Sequence, residues 1–279
     1  MSFAELSGGP PPKPADAPPT PPLAGPSRIE YMRAYQFIFE NPNWKTNLLW
    51  LALAGVVAGL VPGVGMLVYI PLLGYMFEVI ESLLASGGRS YPDVDMNRIE
   101  RYFYRGLWPF LVGMIVSMVA TFVVMPLWYG ALLATIFSGA GVGGDTGKVL
   151  IVLAMPVLFL LLMVALAAIG VVTLPFTLRA GFRQDFAEGF DFGWARDFWK
   201  RVGMDVVLAN LFFFVTYSVL ALLGTLAFCV GLYAAVAVAT LAWSHLAYQL
   251  YSVYLSRGGT PVPPKPETPP AGAPPAAQY

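Results

Sequence analysis

The sequence predicts an all-α integral membrane protein with six transmembrane helices arranged as three hairpins, amphipathic interfacial helices and disordered Pro-rich termini. Three observations predict it. Of 279 residues, 57% are hydrophobic and 11% charged, whereas ordinary soluble domains carry roughly 25% charged residues. Apolar runs near the roughly 20 residues needed to cross hydrocarbon recur along the chain. The 16 Lys and Arg residues gather in alternate connections.

Residues 1–27, which include "PPPKPADAPPTPP", read as a disordered cytoplasmic tail, because Pro-rich chain cannot bury a core and favours extended polyproline II. No cleavable signal pattern opens the sequence, so insertion is expected to rely on the spans themselves. The membrane domain covers 28–258, with spans at about 46–61, 65–85, 107–137, 148–178, 204–226 and 231–256. "LVPGVG" (60–65) turns the first hairpin, "SGAGVGGDTG" (138–147) reads as a flexible loop in the second, and "CVG" (229–231) breaks the third. Residues 259–279 form a second Pro-rich tail. "PPKP" stands at 11–14 and again at 263–266, a polyproline pattern that offers a docking ligand to a cytoplasmic protein partner.

Fifteen of the 16 basic residues fall on one side of a six-span arrangement, and Lys148 alone falls opposite. Lys and Arg concentrate in cytoplasmic segments, so both termini are expected in the cytoplasm of a cell (inner) membrane protein. An odd number of spans would scatter the charges.

The stretch "GFRQDFAEGFDFGWARDFWKRVG" (181–203) interrupts this apolar chain with charges and aromatics. It belongs to a set of three: "SRIEYMRAYQFIFENPNW" (27–44), "NRIERYFYRGLW" (97–108) and "WARDFWKRVG" (194–203) precede the first, third and fifth spans. Trp194, Phe198 and Val202 recur at i, i+4 and i+8, a helix with an apolar stripe and a basic face. Each copy is expected to lie in the cytoplasmic interface and set the tilt of the next span. Arg179, Arg183, Trp194, Arg196, Trp199, Lys200 and Arg201 are the candidates for contact with lipid headgroups. The even spans repeat as well. Registering "LLASGG" (83–88) on "VYLSRGG" (253–259) places Glu78 opposite Gln249 and Gly74 opposite His245.

"PLLGY" (71–75), "YPDVD" (91–95) and "RYFYRGLWPF" (101–110) together resemble the uncharacterised prokaryotic membrane proteins grouped as domain of unknown function 4013. The resemblance extends over about 28–258 and departs at the loop, where a tryptophan expected near "YPDVD" is missing. It implies a six-span bacterial or archaeal membrane protein and carries over no catalytic residues.

Chemistry is sparse. Gly139, Gly141 and Gly144 have GxGxxG spacing, but the fingerprint requires a preceding strand, and these glycines lie between spans. Cys229 is the single cysteine and His245 the single histidine, too few for a cysteine or histidine metal cluster or for an intramolecular disulfide. Zero net charge gives no electrostatic case for nucleic acid. No cofactor, metal or enzymatic activity is expected. Ser244, His245, Tyr248, Gln249 and Ser252 share one side of the sixth span, with Glu78 and Glu81 on the second as partners. This stripe is either a helix–helix seam or the lining of a polar path. Asn210 reads as an interhelical hydrogen bonder, and Gly55, Gly59 and Gly63 as a close-packing ridge within the chain or an oligomer. Three functions therefore stand: a structural, scaffolding or lipid-organising membrane protein, a transporter or channel for a small solute or lipid, and, far behind these, an intramembrane enzyme.

Overall fold

The computed structural model describes residues 25–60, 65–227, 230–263 and 265. Every regular element among them is helical: α1 (Arg33–Gln36), α2 (Trp44–Leu60), α3 (Gly65–Ser86), α4 (Ile99–Val142), α5 (Gly144–Arg183), α6 (Phe186–Gly189), α7 (Phe192–Leu226) and α8 (Val230–Ser256), with 3-10 turns at Phe37–Glu40 and Met96–Arg98. Five of the helices, α3, α4, α5, α7 and α8, are long and apolar enough to cross a membrane. With 17 residues, α2 is about 25 Å long and falls short of the roughly 30 Å hydrocarbon.

Caps place the ends. Asp191 and Asp185 accept the backbone N–H of Trp194 and Glu188 at the starts of α7 and α6, satisfying donors that a helix start leaves open. At the far ends of α3 and α8, Gly88 N–H reaches Leu83 O at 2.7 Å and Gly259 N–H reaches Tyr254 O at 3.0 Å. Gly87, Gly88 and Gly258 have φ of 65°, 84° and 79° there, a conformation that glycine adopts without penalty.

Two expectations change. The segments 97–108 and 194–203 are not separate interfacial helices. Residues 99–108 and 194–203 are opening turns of α4 and α7, because their apolar stripes share the helical period of the spans, and α4 runs on through Pro109. At 44 residues, α4 is about 66 Å long, twice the hydrocarbon thickness. The Gly-rich run 138–147 is not a loop either. Only Gly143 (φ 67°) interrupts two helices, and Gly139 and Gly147 bring them into contact: a Cβ on Gly147 would lie 2.1 Å from Gly139 O. The turn at 61–64, the break at 228–229 and residues 1–24 lie outside the described residues, as do Pro264 and 266–279.

Five helices form a ring through the contacts α3–α4, α4–α5, α5–α7, α7–α8 and α8–α3, while α2 packs outside against α8 and α3. Phe77, Ile80, Leu83, Phe182, Phe198, Leu246 and Tyr254 fill the core at the end rich in ion pairs. Towards Gly143, by contrast, Phe122, Leu127, Phe137, Val152 and Leu153 are between 66% and 82% exposed. Such a continuous apolar exterior is costly in water and points to membrane association.

Candidate functional site

The site begins with a pair of glycines. α3 and α4 cross with their backbones in contact: a Cβ on Gly106 would lie 1.8 Å from Ile70 O, and one on Gly74 1.8 Å from Tyr102 O. On the Gly143 side of this crossing, α3, α4, α5, α7 and α8 line a half-open cavity of about 620 Å³, within the range of small-molecule sites. Met76, Phe77, Phe110, Leu174, Phe213 and Trp243 are among the residues of its wall, and no residue lining it is charged.

Its polar lining is sparse and mostly self-satisfied. The hydroxyls of Thr173, Thr177 and Thr240 donate to carbonyls of their own helices, at 2.7 Å (Ile169), 2.9 Å (Leu174) and 2.9 Å (Val236). Ser117 Oγ lies 3.4 Å from Thr173 Oγ1. Asn210 Nδ2 donates to Val206 O at 3.0 Å, so this amide bonds to its own helix rather than to a neighbour as the sequence suggested. Its Oδ1 points towards Gly170, where a Cβ would lie 3.3 Å away.

The stripe on α8 faces the other way. Val236, Thr240, Trp243 and Ala247 line the cavity, and at 100° per residue His245, Tyr248, Gln249 and Ser252 occupy the opposite side. There the stripe is packed shut. Ser244, His245, Tyr248, Gln249 and Ser252 are all buried. The His245 ring lies 4.4 Å from that of Phe37, and Gln249 Nε2 is 2.8 Å from His245 Nδ1. Gln249 also clasps the backbone of Glu30, accepting from N–H (2.5 Å) and donating to O (3.0 Å). These residues form a seam with the N-terminal segment.

Glu78 and Glu81 do not join the stripe. Buried Glu78 meets Arg101 at 2.7 Å, Arg98 at 3.4 Å and Arg105 at 3.8 Å, and Arg105 also pairs with Glu81. The two "RIE" segments dock differently: the Arg98 side chain pairs with Glu78 on α3, whereas the Glu30 backbone is held by Gln249 on α8. The glycine ridge seats a side chain of this same chain, Gly55 and Gly59 both facing the Tyr233 ring. Gly63 lies outside the described residues.

Most of the headgroup candidates are engaged internally. Arg179 pairs with Asp191 at 2.7 Å and lies 5.7 Å over the Trp194 ring. Arg183 Nη2 donates to Glu188 at 2.7 Å and Arg201 to Asp197 at 2.8 Å. Trp194 is buried against Phe198, and Trp199 is half-buried. Arg196 and Lys200, four residues apart on one face of α7, remain exposed. The beginning of the C-terminal tail is held too. Trp194 Nε1 donates to Thr260 O (3.1 Å), Thr260 N–H to Tyr254 Oη (2.9 Å), Val262 N–H to Tyr251 Oη (2.7 Å) and Lys265 N–H to Phe182 O (2.9 Å).

Sequence reasoning missed the cavity and a polar clasp. Asp93 accepts from Asn41 (3.2 Å), Asn43 (2.6 Å) and Asn47 (3.0 Å), while Asn47 Oδ1 accepts from Val94 N–H (2.9 Å). Donation from Asn47, then Asn43, outweighs desolvation and lowers the Asp93 carboxyl below its ordinary value. The visible signal was Asn47 itself, a fully buried amide inside an apolar run, where it requires partners.

The family model for a protein of unknown function (DUF4013) matches residues 57–230. The chain belongs to this family. The match takes in α3, α4, α5 and α7, and hence four of the five cavity walls, but it stops at the first residue of α8, before the His245 stripe. No curated protein and no solved structure matches the chain.

Proposed function

We propose that this family member is a lipid-organising membrane protein that lodges an apolar chain in the cavity between α3, α4, α5, α7 and α8. The uncharged, aromatic-walled cavity carries this reading: burying hydrocarbon against such a wall is favourable at about 25 cal/mol per Å², whereas a charged solute would find no partner there. We further place it as six spans in the cell (inner) membrane with both termini cytoplasmic, α2 serving as a short sixth span. The one-sided basic residues and the gathering of ion pairs at that end support this orientation. The recurrence of "RIE" at 28–30 and 98–100, each ahead of an apolar helix, supports an internal repeat. No reaction is assigned to the protein.

Native mass spectrometry of the detergent-extracted chain is expected to find bound lipid, and Gly170→Phe, which fills the cavity beside Asn210, to reduce it several-fold. Equal lipid retention by a folded Gly170→Phe chain overturns the reading. Transport of the same chain is the second reading, favoured by a recess on α4 lined by Met118, Phe122 and Met125 that shares Met114 and Ser117 with the cavity.

A further inference from the structure

We infer that the cavity is specific for a neutral lipid alcohol, whose hydroxyl donates a hydrogen bond to Asn210 Oδ1. This rests on the proposal that the cavity holds an apolar chain and names the headgroup chemistry that comes with it. The argument is a count of donors and acceptors. A threonine hydroxyl has one hydrogen to give, and those of Thr173, Thr177 and Thr240 are already given to carbonyls of their own helices. Asn210 donates from Nδ2 to Val206 O, which fixes the amide's orientation and turns its carbonyl oxygen towards the space left by Gly170. Beside the donors of the Tyr69 and Tyr217 phenols, the Trp243 indole, Ser117 and the second Nδ2 proton of Asn210, the polar lining thus offers the lone pairs of the three threonines and of the Asn210 carbonyl.

An uncharged recess selects on charge as well as on shape. A carboxylate or phosphate brings more acceptors and meets no Lys or Arg among the lining residues, so its desolvation goes uncompensated. A quaternary ammonium can rest on the aromatic faces but has no proton to donate to the Asn210 carbonyl. An alkane fills the volume but leaves the Asn210 carbonyl without a partner in an apolar setting, which is costly. A long-chain alcohol or an acylglycerol satisfies both requirements.

The test uses the full chain in nanodiscs and a diazirine-bearing hexadecanol, with labelling mapped by mass spectrometry to α5, α7 and α8. Unlabelled hexadecanol, hexadecane and hexadecanoate compete at equal membrane concentration. Hexadecanol is expected to compete about tenfold better than hexadecane, the fold-change equivalent of about 1.4 kcal/mol, with hexadecanoate no better than the alkane. Asn210→Leu is expected to abolish the advantage of the alcohol while hexadecane still competes. Equal competition by alcohol and alkane in the unaltered chain overturns the inference and leaves the apolar-chain reading standing, whatever the variant does. An advantage that survives in Asn210→Leu also overturns it. Absence of cavity labelling and of competition by any of the three overturns both.

Discussion

Glycines at three positions show how much a single hydrogen atom in place of a methyl decides. At Gly106 and Gly74 the space for a Cβ is already taken by backbone carbonyls 1.8 Å away, and backbone yields less readily than the end of a side chain. Gly106→Ala is expected to destabilise the chain by about 1–3 kcal/mol, as overpacking does, read as a lower midpoint in denaturant unfolding. Gly130 lies in α4 with nothing within 4 Å of its added Cβ, so Gly130→Ala should be neutral or stabilising by up to about 1 kcal/mol from helix propensity. Equal effects at the two sites would show that the α3–α4 contact is not made. Asn210 illustrates the converse. Its residue type announced a polar need inside the spans, but whether a neighbouring helix, its own backbone or a ligand meets that need depends on rotamer and packing, which no spacing rule encodes.

At the scale of elements, the connection between α3 and α4 is tied down by three amides on one carboxylate. Tyr75 Oη donates to Pro92 O at 2.9 Å and Tyr91 Oη to Ile38 O at 2.9 Å, adding two further ties. Because the folded state lowers the Asp93 pKa from its ordinary 3.8, its contribution to stability is complete above that value and is lost as pH falls through the lower, folded one. Asp93→Asn is expected to flatten this part of the acid unfolding profile, and an unchanged profile would remove Asp93 from the clasp. The base of the bundle makes a second such tie, with Trp194, Tyr251 and Tyr254 holding residues 260–262. Replacing Tyr254 by Phe removes the acceptor for Thr260 N–H and the donor to Asp197 Oδ2 (3.0 Å), and should speed proteolytic removal of the C-terminal residues several-fold with little fall in the unfolding midpoint, since Asp197 keeps its pairing with Arg201. A midpoint that falls in step with tail release would make the contact part of the core instead.

Across the whole molecule, what could be read from the sequence was governed by solvent, and what could not was governed by neighbours. Hydropathy and the one-sided arginines outlined the apolar helices, since each of those signals is carried by the residue alone. The continuity of α4 through 99–108 was hidden because an interfacial turn and a membrane turn share one period. The cavity was hidden because its walls come from five helices whose relative rotation follows from contacts such as Gly74 with Gly106. The spacing of the α8 stripe left a seam and a polar path both open, and only the docking of Glu30 and Phe37 reveals which side of the helix is sealed. The arrangement also has a mechanical meaning. α4 is held at Gly106 and runs 37 residues to Gly143, a reach of about 55 Å, with α5 alongside it. A rotation of about 5° at that pivot displaces the distant tip by about 5 Å over such a reach. The paired helices are thus a long oar in a short lock, and a small change in how α3 grips α4 becomes a large sweep at the Gly143 end.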